Sequence, residues 1–361
     1  MRALLLVSLV CAPLWAAAAE RLRVGTSGDY APFSQEGRGF DLEVARHMAE
    51  DLGMELAFVP FRWPELHARL AAGEFDVAMS GITWRPERAV VGFMTRAVAA
   101  GGPCLLTAGR QPVRIGVNRG GFLEAWARAR FGEAAVVAFE DNRSLPERLA
   151  RGEIDALVTD SFELPEFSRP GFDARCEPRA ERKVYWVAPA RAETLGPRID
   201  AWLAEREPTT LRELRERWLG GTSPRSEADH LVDLLARRLA LMPHVAAWKR
   251  ANRRPIEDLA RERAVLERAE RVARQAGLDP GRLRRVFALQ IELAKGVQRR
   301  APEPQTPLDL EADVRPLLLR LGDRIVASLA RGGELGAADP AALRAWLEPP
   351  ELERLREALS R

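Results

Sequence analysis

Three cysteines and four histidines in 361 residues leave little with which to hold a metal. His47, His67, His230 and His244 lack ligand spacing and no Cys-x-x-Cys pair occurs, so no metal site is expected, nor any cofactor. Long apolar runs are missing too. After Glu20 no stretch reaches the ~18 apolar residues of a membrane-spanning helix, so no membrane partner is expected for the chain once a leader is removed. Charge of one sign is scarce as well: 55 Lys and Arg against 52 Asp and Glu give a formal +3, interspersed and without the basic tails that nucleic acid would select. Small molecules are the expected partners, with basic residues in pockets facing small anions, and the oligomeric state is left open.

What the chain does have is material for more than one domain. At ~150 residues per domain its length implies two or three, and 47% hydrophobic with 30% charged residues is unlike a disordered, collagen-like or polytopic membrane chain. Met1-Arg2, an apolar run over 3–15 and alanines at 16–19 have the form of a signal peptide cleaved after Ala19, so a periplasmic or secreted protein is expected. Export permits a disulfide. Bridging the two cysteines that remain, Cys104 and Cys176, closes a long loop worth about 4 kcal/mol on the chain-entropy account; the alternative is two buried thiols.

From residue 21 to about 189, short β-rich runs alternate with amphipathic helical ones. Strands are expected at 22–24, 56–60 and 76–80 with helices at 40–52 and 63–72, and the order returns as strand 113–117, helix 122–131, strand 135–139, helix 145–151 and strand 155–159. Each half is a βαβαβ unit with parallel strands. A shared phrase supports the repeat: Leu70-Ala71-Ala72-Gly73-Glu74-Phe75-Asp76 recurs as Leu149-Ala150-Arg151-Gly152-Glu153-Ile154-Asp155, glycine ending a helix and aspartate opening a strand. The expected domain over 20–220 is therefore α/β and two-lobed, one lobe covering about 20–108 and 190–220, the other about 109–189. Ligands of parallel sheets lie at the carboxyl ends of strands, which points to the residues after Met79 and Val158. Residues 198–219 read as helical and 221–226 as a linker. Beyond it, 227–361 reads as an all-α domain of about six helices, with Pro255 at a helix start, Gly277 at a helix end and Asp279-Pro280 as a cap.

Gly28-Asp29-Tyr30-Ala31-Pro32-Phe33, Gly39-Phe40-Asp41 and the run from Asp76 through Thr83 to Glu87-Arg88 resemble the type 2 periplasmic binding protein fold. The resemblance implies that Thr83, Arg88 and the backbone of Ser80 and Gly81 grip a ligand carboxylate, a task suited to a fork of guanidinium donors. Within that fold, residues 26–33, Trp63-Pro64-Glu65-Leu66, Val117-Asn118-Arg119-Gly120-Gly121 and Val158-Thr159-Asp160-Ser161-Phe162-Glu163 are similar to the cyclohexadienyl dehydratases, which turn prephenate into phenylpyruvate and arogenate into phenylalanine. This implies Tyr30 and Trp63 packed on the substrate ring, a polar contact from Asn118, and Asp160 where receptors of the fold meet a ligand amine. Glu163, the extra acid of the dehydratases, is the expected general acid. Prephenate loses a ring hydroxide together with carbon dioxide, and because hydroxide leaves poorly a proton donor must reach that oxygen. A glutamate enclosed in a cleft is kept protonated by desolvation. Phe122 departs from the threonine that the family has after its paired glycines. The other reading of this half is a binding protein for an amino acid or aromatic acid, which has no use for Glu163.

The helical half carries Arg238, Lys249, Arg261 and Arg324 on its helices, where cations ordinarily face solvent. Their order, with Asp258 three residues before Arg261 and with Gln298, Val245-Ala246-Ala247-Trp248-Lys249 and Pro255-Ile256-Glu257-Asp258, resembles the secreted, all-helical chorismate mutases. Their Claisen rearrangement has no covalent intermediate and calls for cations and neutral donors around a dianion held in its chair form. The resemblance implies that Arg238, Arg261 and Arg324 address two carboxylates, Lys249 and Gln298 flank the ether oxygen, and Asp258 orients the basic groups. An amide at 298 donates at any pH. Ala294 departs from the small polar residue often found one turn earlier. One half makes prephenate and the other consumes it, so the expectation is an exported bifunctional enzyme acting on chorismate, prephenate and arogenate.

Overall fold

The computed structural model describes residues 20–177, 181–221, 225–304, 306–336 and 338–360, so the expected leader at 1–19 lies outside the described residues. Two five-stranded sheets share one topology. In the first, Glu55–Pro60, Arg21–Thr26 and Val77–Ala78 are parallel neighbours, continued antiparallel by Trp186–Val187 and Phe93–Met94. In the second, Val136–Phe139, Ile115–Asn118 and Ala156–Asp160 are parallel, continued antiparallel by Pro103–Thr107 and Asp173–Cys176. Helices Phe40–Asp51, Leu66–Ala71, Phe122–Phe131 and Leu145–Ala150 make the crossovers, and their cover explains why Ala156–Asp160 is buried along its whole length.

The repeated phrase performs one task twice. Gly73 and Gly152, at φ +70° and +72°, end their helices in the left-handed region. Asp76 and Asp155 then accept the backbone N–H of Arg23 at 2.8 Å and of Arg114 at 2.9 Å, pinning the start of the adjacent parallel strand.

The lobe boundaries differ from expectation. Pro103–Thr107, expected in the lobe at 20–108, belongs to the second sheet, and Trp186–Val187, expected in the lobe at 109–189, belongs to the first. The cause is a pair of crossings: the chain leaves the first lobe at Ala99–Gly101, returns at Glu181–Lys183, and these short segments pair antiparallel as a two-stranded hinge. Runs of three residues are too short to show a period in sequence. Cys104 and Cys176 are disulfide-bonded, 72 residues apart, at opposed positions of neighbouring strands of the second sheet.

Six helices of ten or more residues make the second domain among the described residues: Glu227–Ala240, Met242–Ala251, Leu259–Gln275, Pro280–Arg300, Arg315–Ala330 and Pro349–Ser360. Ser226 and Asp229 form a capping box on the first, and Asp279 takes the Gly281 and Arg282 N–H groups, both at 3.0 Å. Pro255 does not start a helix. It lies in the loop before Leu259, because Asp258 is the residue whose carboxylate takes an orphan N–H, that of Arg261 at 3.0 Å. The described part of the linker expected at 221–226 is anchored: the Arg225 N–H donates to Glu207 and its guanidinium to Asp233. The domains also share a core, one apolar cluster running from Leu70, Phe75 and Trp186 into Leu231, Leu235 and Ile325.

Candidate active sites

Residues from both lobes line a cleft. Tyr30, Trp63, Gly81, Thr83, Arg88, Asn118 and Glu163 of the expected set face it, and Phe122 adds an apolar ring to its wall. Ser80 and Asp160 do not. The Ser80 hydroxyl is buried below, 2.8 Å from Ser27 Oγ and 2.5 Å from Ser34 Oγ. Asp160 takes the N–H groups of Phe162 at 2.8 Å and Glu163 at 3.1 Å and pairs with Lys183 at 3.0 Å. It holds a turn and a cation, in place of meeting a ligand amine. The Gly81 N–H is also engaged, donating to Asp41 at 2.6 Å, so a ligand carboxylate does not receive it.

Glu163 is 3% exposed, and Asn142 Nδ2 and Thr159 Oγ1 each donate to one of its oxygens at 2.7 Å. Burial, reinforced by the charge of Asp160, raises its pKa well above the usual carboxylate range, against the opposing pull of Thr159, Lys183 and Asn142. Arg88 donates to the Thr83 carbonyl at 3.1 Å and lies 5.9 Å from the centre of the Trp186 ring. Among the described residues no carboxylate pairs with it, and burial with repulsion from Arg85 lowers its pKa to about 10. A bound anion would relieve that cost.

Lys183, Glu181 and Asn142 line the cleft and were missed in the sequence. Lys183 Nζ donates to Tyr30 Oη at 2.9 Å, Thr83 Oγ1 at 3.1 Å and Glu181 at 3.0 Å, beside Asp160. Burial opposes its charge, but Asp160 and Glu181 outweigh that and raise its pKa. A signal was available: Lys183, Lys249 and Lys295 are the chain's three lysines, against 55 Lys and Arg together, and all three line the two cavities.

The bundle contains a cavity of about 980 Å³ faced by Arg238, Lys249, Asp258, Arg261, Gln298 and Ala294. Arg324 is not among its walls. On helix Arg315–Ala330, Asp323 faces the cavity, and the next residue, a step of ~100° round the helix, faces the first domain. There Arg324 donates to the Met94 carbonyl at 2.8 Å and to Asp200 at 3.1 Å. The cavity instead gains Arg268, paired with Asp323 at 2.7 Å, and Lys295, paired with Glu262 at 3.2 Å. Arg238, Arg261 and Lys249 have no carboxylate partner in an ion pair among the described residues. Burial, then repulsion from Arg261, lowers the Arg238 pKa to about 10. Lys249, its pKa lowered by burial, donates to the Ile256 carbonyl at 2.5 Å. Gln298 touches Met242 Sδ at 3.5 Å, and its Oε1 is buried without a partner.

Residues 22–221 match the model of the bacterial extracellular solute-binding proteins, family 3. The chain belongs to that family. Residues 229–299 match chorismate mutase type II, so this family 3 protein carries a second unit beyond its solute-binding fold. The cyclohexadienyl dehydratase of Pseudomonas aeruginosa is 32% identical over 221 residues, covering 55% of this chain and 82% of that protein. The L-cystine-binding protein of Escherichia coli is 27% identical over 219 residues, with the same coverage. Among solved structures, an ancestral amino acid-binding protein, a precursor of cyclohexadienyl dehydratase, is 28% identical, with a TM-score of 0.50, and matches 55% of this chain and 95% of its own. Enzymes and receptors share this fold, so function rests on the side chains in the cleft.

Proposed function

We propose that this family 3 protein is an exported bifunctional enzyme that rearranges chorismate to prephenate in the helical domain and converts prephenate to phenylpyruvate, or arogenate to phenylalanine, in the cleft. The observation that carries the reading is Glu163, a buried carboxyl whose pKa burial and Asp160 raise, in the same cleft as Arg88, which has no carboxylate partner among the described residues. A receptor needs the cation but not the acid. In the dehydration, the bond to the departing carboxylate breaks and its electron pair enters the ring. The ring C–O bond breaks with its pair going to oxygen, and that oxygen leaves as water with the proton of Glu163. Arg88 holds the remaining carboxylate and Trp63 and Tyr30 pack on the ring; the Thr83 hydroxyl is spent on Glu181, to which it donates at 2.9 Å, and Lys183 keeps Tyr30, Thr83 and Glu181 in place.

In the helical cavity Arg238 and Arg261 receive the carboxylates of chorismate; Arg268, which faces the same cavity, is held by Asp323. Lys249 and Gln298 stabilise charge on the ether oxygen as its C–O bond breaks and the new C–C bond forms. No proton is transferred. The test is to supply purified protein with chorismate and follow its loss and the appearance of phenylpyruvate, then to supply prephenate and arogenate separately. Conversion through to phenylpyruvate is expected. Accumulation of prephenate, with neither prephenate nor arogenate consumed, would leave a mutase fused to a binding protein.

A further inference from the structure

Side chains alternate along a strand, and in the hinge strand Glu181–Lys183 this sends neighbours to two different places. Glu181 and Lys183 line the cleft. Arg182, between them, points to the helical domain, where its Nε donates to Asp233 Oδ1 at 2.5 Å. Asp233 is buried on helix Glu227–Ala240, and its other oxygen receives the Arg225 guanidinium. One turn further along the same helix, Arg237 donates to the Thr95 carbonyl at 2.9 Å and lies 5.5 Å from the centre of the Trp84 ring. The Trp84 backbone N–H donates to the Arg182 carbonyl at 2.9 Å, and Thr83 is bridged to Lys183. The next helical position, Arg238, faces the mutase cavity.

We propose that Asp233 is a positioning residue for the cleft: through Arg182 it fixes the hinge strand that carries Glu181 and Lys183, so the docked helical domain is a working part of the first active site. The inference rests on the proposed dehydratase reading for its kinetic consequence, while its structural core does not. Glu181–Lys183 is one of the two strands joining the lobes, so any change in lobe separation must be absorbed in their backbone dihedrals. A side chain from the second domain bound to the middle of that strand restricts this freedom and keeps the ammonium group and its carboxylates in register with Tyr30 and Thr83. Asp233 suits the role because Arg225, Arg182 and Arg237 overcome its burial and hold its pKa below the usual value, leaving it an anion whenever the cleft is working.

The test uses Asp233→Asn, Arg182→Gln and the double variant in the full chain, assayed with prephenate directly and separately with chorismate, alongside hydrogen exchange of the backbone amides at 181–184. Expected is a fall of about ten-fold in kcat for prephenate, less than the ~10²-fold that a 1 Å misplacement can cost, with chorismate consumption unchanged. The double variant should be no slower than the worse single one, and exchange should quicken at 181–184. Wild-type prephenate kinetics in the variants would overturn the proposal, even with faster exchange. So would parallel loss of both activities with exchange rising throughout the chain, which marks a merely structural role. Should Asp233→Asn fail to fold, Arg182→Gln, which leaves Asp233 its Arg225 partner, decides. If the wild-type protein does not consume prephenate, it is the dehydratase reading that fails, and unchanged exchange at 181–184 is then what would remove the clamp.

Discussion

At the cleft, three buried carboxyl groups, Glu163 and Glu181 on its wall and Asp160 behind them, surround the ammonium of Lys183, whereas in the helical cavity Arg238, Arg261 and Lys249 face the interior with no carboxylate paired to them among the described residues. An excess of acid over base in a desolvated site keeps a proton, because one carboxyl must stay neutral. An excess of cations keeps a positive potential, which lowers the pKa of Arg238 and is relieved when a dianion enters. The contrast matches the chemistry proposed for each site. Losing water from a ring needs a proton delivered to oxygen, while a rearrangement that only redistributes charge needs a field and a fixed geometry.

The sharpest way to break this contrast is Glu163→Gln, which keeps the shape and the partners Asn142 and Thr159 but removes the proton. Prephenate turnover should fall by about 10²- to 10⁴-fold, the usual worth of a general acid, while chorismate is consumed at the wild-type rate. Equal loss of both reactions would show that the sites are not chemically separate.

A second pair of variants tests which arginines belong to the cavity. Arg261→Ala should cost about 1.5–3 kcal/mol of transition-state binding, roughly 10- to 100-fold in kcat/KM for chorismate, as a charged hydrogen bond does. Arg324→Ala should leave the KM for chorismate unmoved and lower the thermal midpoint, because it cuts the ties to Met94 and Asp200 between the domains. A raised KM in Arg324→Ala alone would restore the role its sequence position suggests.

That arginine illustrates how far the sequence could be read. The two α/β lobes and the six-helix domain were legible because they depend on local pattern: helical period, caps, and glycine at helix ends; the cavity-facing residues that were expected came from the family resemblance. What was not legible depends on registers that spacing cannot reveal. Whether Arg324 or its neighbour Asp323 faces the cavity turns on one step of helix rotation. Asp160 lies in a recognisable motif, yet its partner Lys183 arrives from a three-residue strand with no periodic signature. The antiparallel additions that move Pro103–Thr107 and Trp186–Val187 between lobes are long-range pairings, fixed by the tertiary fold more than by propensity.

The gentlest test is pH, applied to both reactions of one protein. Glu163 must be protonated to act, and since burial has raised its pKa, prephenate turnover should persist above the ordinary carboxylate range and then fall as pH rises through the elevated value. Lys183 does not oppose this, for its own pKa is raised and it stays charged throughout. The mutase has no proton donor to lose. Gln298 does not titrate, and the alkaline limb expected comes from Lys249 and Arg238, whose pKa values burial has lowered. Chorismate turnover should therefore change by no more than a few-fold while prephenate turnover declines. Gln298→Glu would make the two profiles alike, giving the mutase a carboxyl that must hold its proton and a rate that drops as pH rises. A wild-type mutase that loses activity with an apparent pKa between about six and eight would instead mean that some titrating group, and not the amide, serves the ether oxygen.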